Sequence, residues 1–247
     1  MSGTPHGTTP PGAAGEQAAA AWVRAMFGRV APRYDLLNHL LSFNIDRYWR
    51  WRTTREVADV LARRDAVTVD LCCGTGDLTL TLARRAAHRV YGSDFCHPML
   101  ISARDKIARQ SAASEVFEAD ALRLPFGDES LDLVTAAFGF RNLANYERGI
   151  GEMLRVLKAG GTAAILEFST PPNFLFRAAY NFYSAKLLPL IGGLISGSRE
   201  AYTYLPESVR RFPGAEQLAE QMRSAGFESV TFHRLTGGIV ALHIGRK

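Results

Sequence analysis

The sequence is poor in cysteine, since only three of its 247 residues are of this type and no two are spaced as Cys-x-x-Cys. So few cysteines argue against a disulfide framework and predict a reducing, cytoplasmic location. Cys72, Cys73 and Cys96 also lack the neighbouring Cys or His residues that would complete a zinc site of about four ligands. Adjacent strand residues point to opposite faces, so Cys72 and Cys73 are not expected to line one site. We therefore expect no metal.

Large apolar side chains are scarce in residues 1–20, where Gly, Pro, Thr and Ala dominate. This composition predicts a disordered tail, followed by a single domain over residues 21–247. The tail also lacks a basic segment followed by an apolar one, so it does not have the pattern of a secretory signal.

Charge is not concentrated in long blocks, although the formal net charge is +5. The one denser patch is DRYWRWRTTRE, residues 46–56, in which arginines and aromatic residues are interleaved. Such a patch is typical of RNA binding or, more often, of an amphipathic helix. No RNA-binding module accompanies it, so we expect no nucleic-acid partner. Contact with an anionic membrane is a more natural role for the arginines.

From residue 66 onward, short apolar runs rich in β-formers alternate with helical patterns. Five predicted strands are AVTVDLCC, HRVYGSD, SEVFEAD, LDLVTAAFGF and TAAILEFS. The helix before the fifth strand is expected to stop at the Gly pair of KAGG. Strands that alternate with helices predict a parallel sheet covered on both faces, with right-handed crossovers.

The end of the sequence breaks this alternation. After the helical pattern GAEQLAEQMRSAGF, the strands ESVTFHRL and GIVALHIGRK are joined only by TGG. So short a connection allows only an antiparallel hairpin. The sequence therefore predicts an α/β fold, with a mostly parallel seven-stranded sheet that ends in a C-terminal antiparallel hairpin.

The stretch VTVDLCCGTGDLTL, residues 67–80, places two glycines between a predicted strand and a predicted helix. Gly74 and Gly76 allow the backbone to approach a ligand closely and to adopt a positive φ. The dinucleotide fingerprint Gly-x-Gly-x-x-Gly is broken, because Thr79 occupies the third glycine position. The pair indicates a ligand other than a dinucleotide, with a ligand-free tight turn as the alternative.

Four carboxylates accompany this loop. Asp70 precedes it and Asp77 follows it, where they would repel a pyrophosphate but suit a ligand that carries an ammonium and a sulfonium. Asp94 ends the second strand, where its two oxygens can accept from both hydroxyls of a ribose. Asp120 ends the third strand, where it can accept from the exocyclic amine of adenine. Together they favour S-adenosylmethionine, bound at the carboxyl edge of the sheet.

Eight stretches from about residue 27 onward are informative together: RVAPRYDLLNHLLSF, DLCCGTGDLT, ADALRLPF, FGFRN, RVLKAGG, LEFS, YLPESVRRFP and GGIVALHIGRK. In these stretches the sequence resembles the menaquinone/ubiquinone-biosynthesis C-methyltransferase family. The resemblance implies a Rossmann-like class I methyltransferase fold and S-adenosylmethionine as the methyl donor. It implies cofactor contacts from Thr75, Asp94, Asp120 and Ala121.

The resemblance further implies a prenylated quinol as the substrate. The expected reaction is C-methylation of demethylmenaquinol to menaquinol in menaquinone biosynthesis. The close alternative is the 2-polyprenyl-6-methoxy-1,4-benzoquinol of ubiquinone biosynthesis, while an RNA methyltransferase and a non-catalytic cofactor-binding scaffold are more remote alternatives. Whether the protein forms a homodimer is left open by the sequence.

In this chemistry the quinol carbon attacks the sulfonium methyl, and a phenolate is a far better nucleophile than a neutral hydroquinone. A phenol with a pKa of about 10 must therefore lose its proton, and a nearby cation favours that loss. We expect Arg141, in FGFRNLAN, to hold the oxyanion or polarise a water, while Asn142 orients that water or the quinol oxygen. The alternative is that Arg141 pairs with a structural carboxylate and Asn142 caps the next helix.

After transfer, the methylated carbon must lose its own proton. Tyr204, His243 and a bound water are the candidate acceptors, and the sequence does not choose among them. Tyr34, in the first matching stretch, is a further candidate for contact with the substrate.

The segment NFLFRAAYNFYSAKLLPLIGGLI, residues 173–195, is predominantly apolar with one narrow polar stripe at helical spacing. Arg177, Lys186, Pro189 and a Gly pair interrupt it, so it does not read as a membrane span of about twenty apolar residues. It is predicted either as a helix buried over the active site or as a lid. The apolar face of such a lid would receive an isoprenoid tail or rest on a bilayer as a peripheral contact.

Overall fold

A single mixed sheet organises the protein within residues 6–183 and 199–247, which are the residues that the computed structural model describes. Its strands are β1 (Thr68–Leu71), β2 (Val90–Asp94), β3 (Ser114–Glu118), β4 (Leu131–Ala137), β5 (Leu157–Phe168), β6 (Ser229–Leu235) and β7 (Val240–Arg246). They are hydrogen-bonded in the order β3-β2-β1-β4-β5-β7-β6.

The first five strands run parallel, and β7 pairs antiparallel with both β5 and β6. The connection between β6 and β7 is the short 3-10 turn Thr236–Gly238, whose two glycines have φ of 65° and 94°. Glycine adopts such values without the steric cost that a Cβ adds. The predicted seven-stranded sheet with a C-terminal hairpin is confirmed.

Ten helices accompany the sheet in the described residues. They are α1 (Glu16–Val30), α2 (Tyr34–Leu41), α3 (Ile45–Glu56), α4 (Ala58–Leu61), α5 (Asp77–Ala83), α6 (His97–Arg109), α7 (Tyr146–Val156), α8 (Phe174–Phe182), α9 (Arg199–Arg211) and α10 (Ala215–Ala225). Apolar residues of α7 and α10 pack on one face of the sheet. Those of α3, α4 and α5 pack on the opposite face. This sandwich buries both faces of the parallel strands, as parallel sheets require.

The helix before β5 ends earlier than the sequence suggested. α7 ends at Val156, and β5 begins at Leu157, which pairs with Leu131 of β4. The predicted stop at the Gly pair is therefore wrong. Gly160 and Gly161 lie inside the strand, where Gly160 has a φ of 74° next to the register shift in the β4–β5 ladder. The glycines mark an irregularity in the strand rather than the end of the helix.

The N-terminal segment contacts the body of the protein. α1 begins at Glu16, so the predicted boundary at residue 20 falls inside this helix, where Ala19 is buried. Thr8 is also buried, and its backbone N–H donates to the carbonyl of Leu143 at 2.8 Å. The division into a tail and one domain stays a prediction.

The predicted apolar segment 173–195 is described only in its first half, because residues 184–195 lie outside the described part of the chain. Asn173 is the N-cap of α8 and accepts from the backbone N–H of Phe176 at 3.0 Å. No side chain of α8 is fully buried. Among the described residues, no helix is long and apolar enough to cross a bilayer.

Candidate functional site

Two cavities meet at the carboxyl edge of the parallel strands. The first lies over the glycine loop and spans about 1000 Å³, and the second lies beside it and spans about 1490 Å³, each counted with its opening to solvent. Phe27, Tyr34 and Phe138 line both cavities. These three aromatic side chains form the wall at which a ligand in one cavity meets a ligand in the other.

The glycine loop departs from strand geometry directly after Leu71. Cys72 has a φ of 50°, Gly74 a φ of 55° and Gly76 a φ of 84°, and Gly76 is the N-cap of α5. Because the strand has ended, the alternation of faces no longer applies, and Cys72 and Cys73 both line the first cavity. The expectation that they would not share a site is wrong. Burial raises the pKa of both thiols, so they stay protonated and act as apolar wall.

Asp70 lies at the floor of the first cavity with only 1% of its surface exposed. Its two oxygens accept hydrogen bonds from the hydroxyls of Thr79 and Thr135, each at 2.7 Å. Thr79, which breaks the dinucleotide fingerprint, thus holds the Asp70 carboxylate in place. Burial raises the pKa of Asp70 to about 6, although both hydroxyls oppose the shift. The carboxylate is ionised at neutral pH and is partly uncompensated, which suits a cationic ligand group.

Asp94, Asp120 and Ala121 also line the first cavity, as the sequence predicted. The oxygens of Asp94 accept from the backbone N–H groups of Gly74 at 2.9 Å and Cys96 at 2.8 Å. Each carboxylate oxygen has a further lone pair, so Asp94 is held in place and can still accept from a ligand. Asp120 is exposed, and one of its oxygens caps the turn that follows β3.

Thr75 lines the first cavity, but its hydroxyl takes part in an ionic network. It donates to Asp35 of α2, and Lys106 of α6 lies 3.0 Å from it. Lys106 pairs with Asp35 at 2.6 Å and with Asp77 at 2.7 Å. Helix α2 is thereby fixed across the glycine loop. Of the two predicted glycines, Gly74 lines the first cavity, whereas Gly76 is not part of its lining and shapes the turn into α5.

The network continues through His39, Asp46 and Asp77, whose ligating atoms lie within 4.8 Å of one another. This is the only such group of His, Cys, Asp or Glu within the described ranges. Arg50 pairs with Asp46 and lies 3.6 Å from Asp77. The carboxylates of this group are therefore already balanced by cations of the protein itself.

The second cavity has apolar and aromatic walls. Its lining includes Met26, Val30, Leu41, Phe43, Ile45, Trp49, Phe168, Phe176, Tyr180, Tyr183 and Ile239. Polar groups are few, but Arg141, Tyr34 and Tyr204 face this cavity. Such a chamber with a small number of polar groups is typical of a site for a largely apolar ligand.

Arg141 is buried and pairs with Glu167 of β5 at 3.2 Å. Its Nε donates to Ser208 at 3.3 Å, and it also donates to the carbonyl of Phe138. The alternative interpretation, a pairing with a structural carboxylate, is thus what the contacts of Arg141 show. Arg141 nevertheless lines the second cavity. It therefore forms a structural ion pair with Glu167 and can also face a ligand.

Asn142 lines the first cavity and does not cap the next helix, because Asn145 fills that position and accepts from the N–H of Arg148 at 3.0 Å. The Oδ1 of Asn142 instead accepts from the phenol of Tyr204 at 3.0 Å. Tyr204 is therefore linked to both cavities. Both side chains are buried.

His243 is not brought to the site. It is 2% exposed on β7, and its Nε2 lies 2.8 Å from the carbonyl of Ala215 in α10. Burial lowers the pKa of His243, so the ring is neutral. Neither cavity is lined by His243, because it faces the side of the sheet that α10 covers.

Sequence reasoning missed Phe27, Phe138 and Arg50 as residues of the first cavity. Phe138 is the first residue of FGFRN, so its position beside Arg141 was an available signal. Phe27 and Arg50 reach the cavity from helices distant in the sequence, and no local pattern indicates their contacts.

Comparison with known proteins gives consistent matches over most of the chain. The family model described as the ubiE/COQ5 methyltransferase family matches residues 14–247. The demethylmenaquinone methyltransferase of Thermus thermophilus is 49% identical over 221 residues, which cover 89% of this chain and 99% of that protein. The ubiquinone/menaquinone biosynthesis C-methyltransferase UbiE of Stutzerimonas stutzeri is 46% identical over 229 residues, covering 91% and 88%.

Solved structures of lower identity share the fold. A SAM-dependent methyltransferase from Thermotoga maritima superposes with a TM-score of 0.61 at 20% identity, covering 90% of this chain and 98% of that one. One from Aquifex aeolicus gives a TM-score of 0.55 at 16% identity, covering 78% and 88%.

Proposed function

Because the chain belongs to the ubiE/COQ5 methyltransferase family, we propose that it transfers the methyl group of S-adenosylmethionine to a ring carbon of demethylmenaquinol. The observation that carries this proposal is the aromatic wall shared by a polar cavity and an apolar one. Cofactor and prenylated quinol would bind on the two sides of Phe27, Tyr34 and Phe138. The faces of aromatic rings attract cations, so these three rings would suit the sulfonium of a bound cofactor.

The donor and acceptor groups of the first cavity fit S-adenosylmethionine. Asp70 is a buried carboxylate with no salt bridge to any described residue, although the charge of Arg50 lowers its pKa against the effect of burial. A carboxylate in this position matches an ammonium group. Asp94 offers two fixed oxygens for the ribose hydroxyls, and Asp120 and Ala121 lie at the end expected for adenine. The cofactor supplies an electrophilic methyl group on its sulfonium. The protein must bind it, exclude water and favour the quinol as its phenolate.

Arg141 supports the phenolate through its charge. The same guanidinium opposes the burial-raised pKa of three phenols around the second cavity, those of Tyr34, Tyr180 and Tyr204. A quinol hydroxyl in this cavity would experience the same field. Glu167 offsets part of that charge and holds the guanidinium in place. Asn142 is proposed to orient the quinol oxygen or a water beside it.

The reaction is tested by incubating the protein with deuteromethyl-labelled S-adenosylmethionine and reduced demethylmenaquinone in detergent, followed by product mass analysis. We expect labelled menaquinone, which disappears when the quinone is left oxidised because the oxidised ring has no phenol. The reduced polyprenyl benzoquinol is assayed in parallel. Greater turnover on that ring would replace the proposed substrate, and no transfer to either quinol with the cofactor still bound would direct the test to RNA.

The role of Arg141 is tested with the double variant Arg141→Gln/Glu167→Gln, which removes both charges of the pair together. We expect kcat to fall and the pH profile of turnover to move to higher pH, since the phenolate loses its cation. A variant that binds cofactor and keeps the wild-type rate and pH profile would remove Arg141 from the mechanism.

We further propose that the protein takes its substrate from the cytoplasmic face of a membrane. Large apolar side chains are exposed on α2, α3, α8 and the α2–α3 turn, namely Leu36, Leu40, Phe43, Ile45, Tyr48, Phe174, Leu175, Phe176 and Phe182. Phe43, Ile45 and Phe176 of this apolar collar also line the second cavity. The collar therefore includes residues of the cavity in which an isoprenoid tail would bind. Many exposed apolar side chains on neighbouring helices favour an interaction site over a solvated surface.

Vesicle flotation with an anionic lipid mixture tests the collar. Phe43 is 73% exposed with a φ of 52°, a value that asparagine tolerates, so Phe43→Asn removes the ring without backbone strain. Phe182→Ser removes a second exposed ring. The matched control is Ile101→Ser on α6, since Ile101 is 48% exposed and lies outside the collar. Equal flotation of all variants and the wild-type protein would contradict membrane docking by this surface.

A further inference from the structure

Residues 6–9 form a short segment, here called the N-terminal strap, that crosses the loop after β4. The carbonyl of His6 accepts from the N–H of Tyr146 at 2.7 Å, and the N–H of Thr8 donates to the carbonyl of Leu143 at 2.8 Å. A Cβ on Gly7 would lie 1.9 Å from the carbonyl oxygen of Ala144. Only glycine permits so close an approach. The strap is therefore fitted to the loop that carries Arg141 and Asn142.

The strap also reaches the site with one side chain. The Oγ1 of Thr8 lies 2.6 Å from the phenol oxygen of Tyr204, which in turn lies 3.0 Å from the Oδ1 of Asn142. Thr8, Tyr204 and Asn142 are 7%, 5% and 7% exposed. A phenol has one proton, and an amide oxygen can only accept. Tyr204 therefore donates to Asn142, and Thr8 donates to Tyr204.

The Asn142 amide has its oxygen toward Tyr204, and the order of donors from Thr8 to Tyr204 to Asn142 is consistent with this orientation. Its oxygen is occupied by Tyr204, and its Nδ2 donates no hydrogen bond to any described residue. Asn142 lines the first cavity. The N–H groups of the amide are thus the polar atoms that remain for a ligand. An oriented donor stabilises a developing or full negative charge far better than a rotating one.

We propose that Thr8 is a positioning residue for methyl transfer. It holds the Tyr204 phenol of the second cavity as the donor to Asn142 of the first, and so directs the amide N–H groups to a quinol oxygen at the junction of the two cavities. The inference rests on the proposed function and adds to it a residue from a segment whose composition predicts disorder. Thr8 does not contact the reacting atoms and acts through the other two residues.

The test compares Thr8→Val, which keeps the shape but lacks the hydroxyl, with Thr8→Ser, which keeps the hydroxyl. Thr9→Val is the matched control for loss of a hydroxyl on the strap, because Thr9 is exposed. It removes the hydroxyl that accepts from Arg211 at 2.6 Å, while the carbonyl of residue 9 keeps its 2.7 Å hydrogen bond from the same guanidinium. We expect Thr8→Val to lower kcat about tenfold, less than the roughly 100-fold loss that follows removal of an oxyanion donor. The Kd for S-adenosylmethionine should change less than about twofold. Thr8→Ser and Thr9→Val should retain the wild-type kcat.

Tyr204→Phe provides a double-mutant cycle. If Thr8 acts only through the phenol, Thr8→Val causes no further loss of kcat once Tyr204→Phe is in place. Losses that multiply in the double variant would overturn the proposal, as would a wild-type kcat in Thr8→Val.

A second measurement keeps the inference separate from the proposed function. The side-chain ¹⁵N–¹H₂ signals of Asn142, assigned from their disappearance in Asn142→Asp, report the amide directly. They should shift in Thr8→Val and stay in place in Thr9→Val. If the wild-type protein methylated no quinol, the proposed function would fail, but these signals would still decide whether Thr8 orients Asn142. Unchanged signals in Thr8→Val would refute the role of the strap.

Discussion

Asp70→Asn is expected to stabilise the cofactor-free protein increasingly as the pH rises. Asp70 is buried, and its pKa is raised from the usual 3.8 to about 6. At about 1.4 kcal/mol per pKa unit, that difference corresponds to roughly 3 kcal/mol. An acid with a raised pKa binds its proton more tightly in the folded state, so its contribution is fully present below pH 3.8 and is lost as the pH rises through 6. Asparagine does not ionise and escapes this loss.

The assay is denaturant unfolding of the wild-type and Asp70→Asn proteins without cofactor, at several pH values from 4 to 8. Other buried carboxylates titrate in both proteins, so the informative quantity is the difference between their free energies of unfolding. This difference should move in favour of the variant by up to about 3 kcal/mol between pH 4 and pH 7 and level off above that.

Asp132→Asn is the control of opposite sign. Burial alone would raise the pKa of Asp132, but Lys158 and the N–H of Val67 hold it below its usual range. The stability that Asp132 provides is present above pH 3.8 and is lost as the pH falls. Asp132→Asn should therefore lose stability relative to the wild-type protein as the pH rises to about 4, so the series for this control is extended down to about pH 2. Between pH 4 and pH 8 its difference from the wild-type protein should be nearly constant. A pH-independent difference for Asp70→Asn, with the control behaving as described, would refute the reasoning about Asp70.

Other changes have equally definite outcomes. Asp94→Asn replaces an acceptor by an amide donor beside two backbone N–H groups and should raise the Kd for S-adenosylmethionine about 10–100-fold by calorimetry. Asp120→Asn, which is exposed, should have a smaller effect, and equal losses would contradict this assignment. Glu167→Gln leaves Arg141 buried without its counter-charge and should lower the free energy of unfolding by about 3–5 kcal/mol; a loss within measurement error would show that the pair does not hold the loop. Trp49→Phe removes an indole hydrogen bond in the wall of the second cavity. It should cost about 1 kcal/mol of stability while the affinity for S-adenosylmethionine is unchanged, and weaker cofactor binding would contradict the separation of the two cavities.

The parts of the fold that depend on local patterns could be predicted from the sequence. A connection of three residues, TGG, fixed the C-terminal hairpin, because no crossover is that short. Acidic residues at successive strand ends had to meet at one edge of the sheet, and Asp70, Asp94 and Asp120 do line one cavity. In both cases neighbours in the sequence determine where the backbone goes.

The features that failed or were missed depend on single backbone angles or on contacts between distant residues. The strand before the glycine loop ends at Leu71. Cys72, the next residue, has a φ of 50°, and this turn of the backbone brings both cysteines to the cavity. His243 has the residue type of a proton acceptor, but its strand position directs it to the face under α10. The ionic network of Lys106 joins α6 to α2 and α5, and no pattern in the sequence of one of these helices indicates a contact with the others.

The N-terminal strap and Lys247 lie at opposite edges of the sheet, which determines where a tag or linker can be attached to the protein without affecting the site. Lys247 pairs with Gly160 and Gly161 at the start of β5, on the edge remote from both cavities. The N-terminal strap lies on the cavity edge, where Thr8 touches Tyr204. An affinity tag, fluorophore or surface linkage at the C-terminus therefore leaves the site untouched, whereas one fused directly before the strap adds bulk beside the groups that orient Asn142.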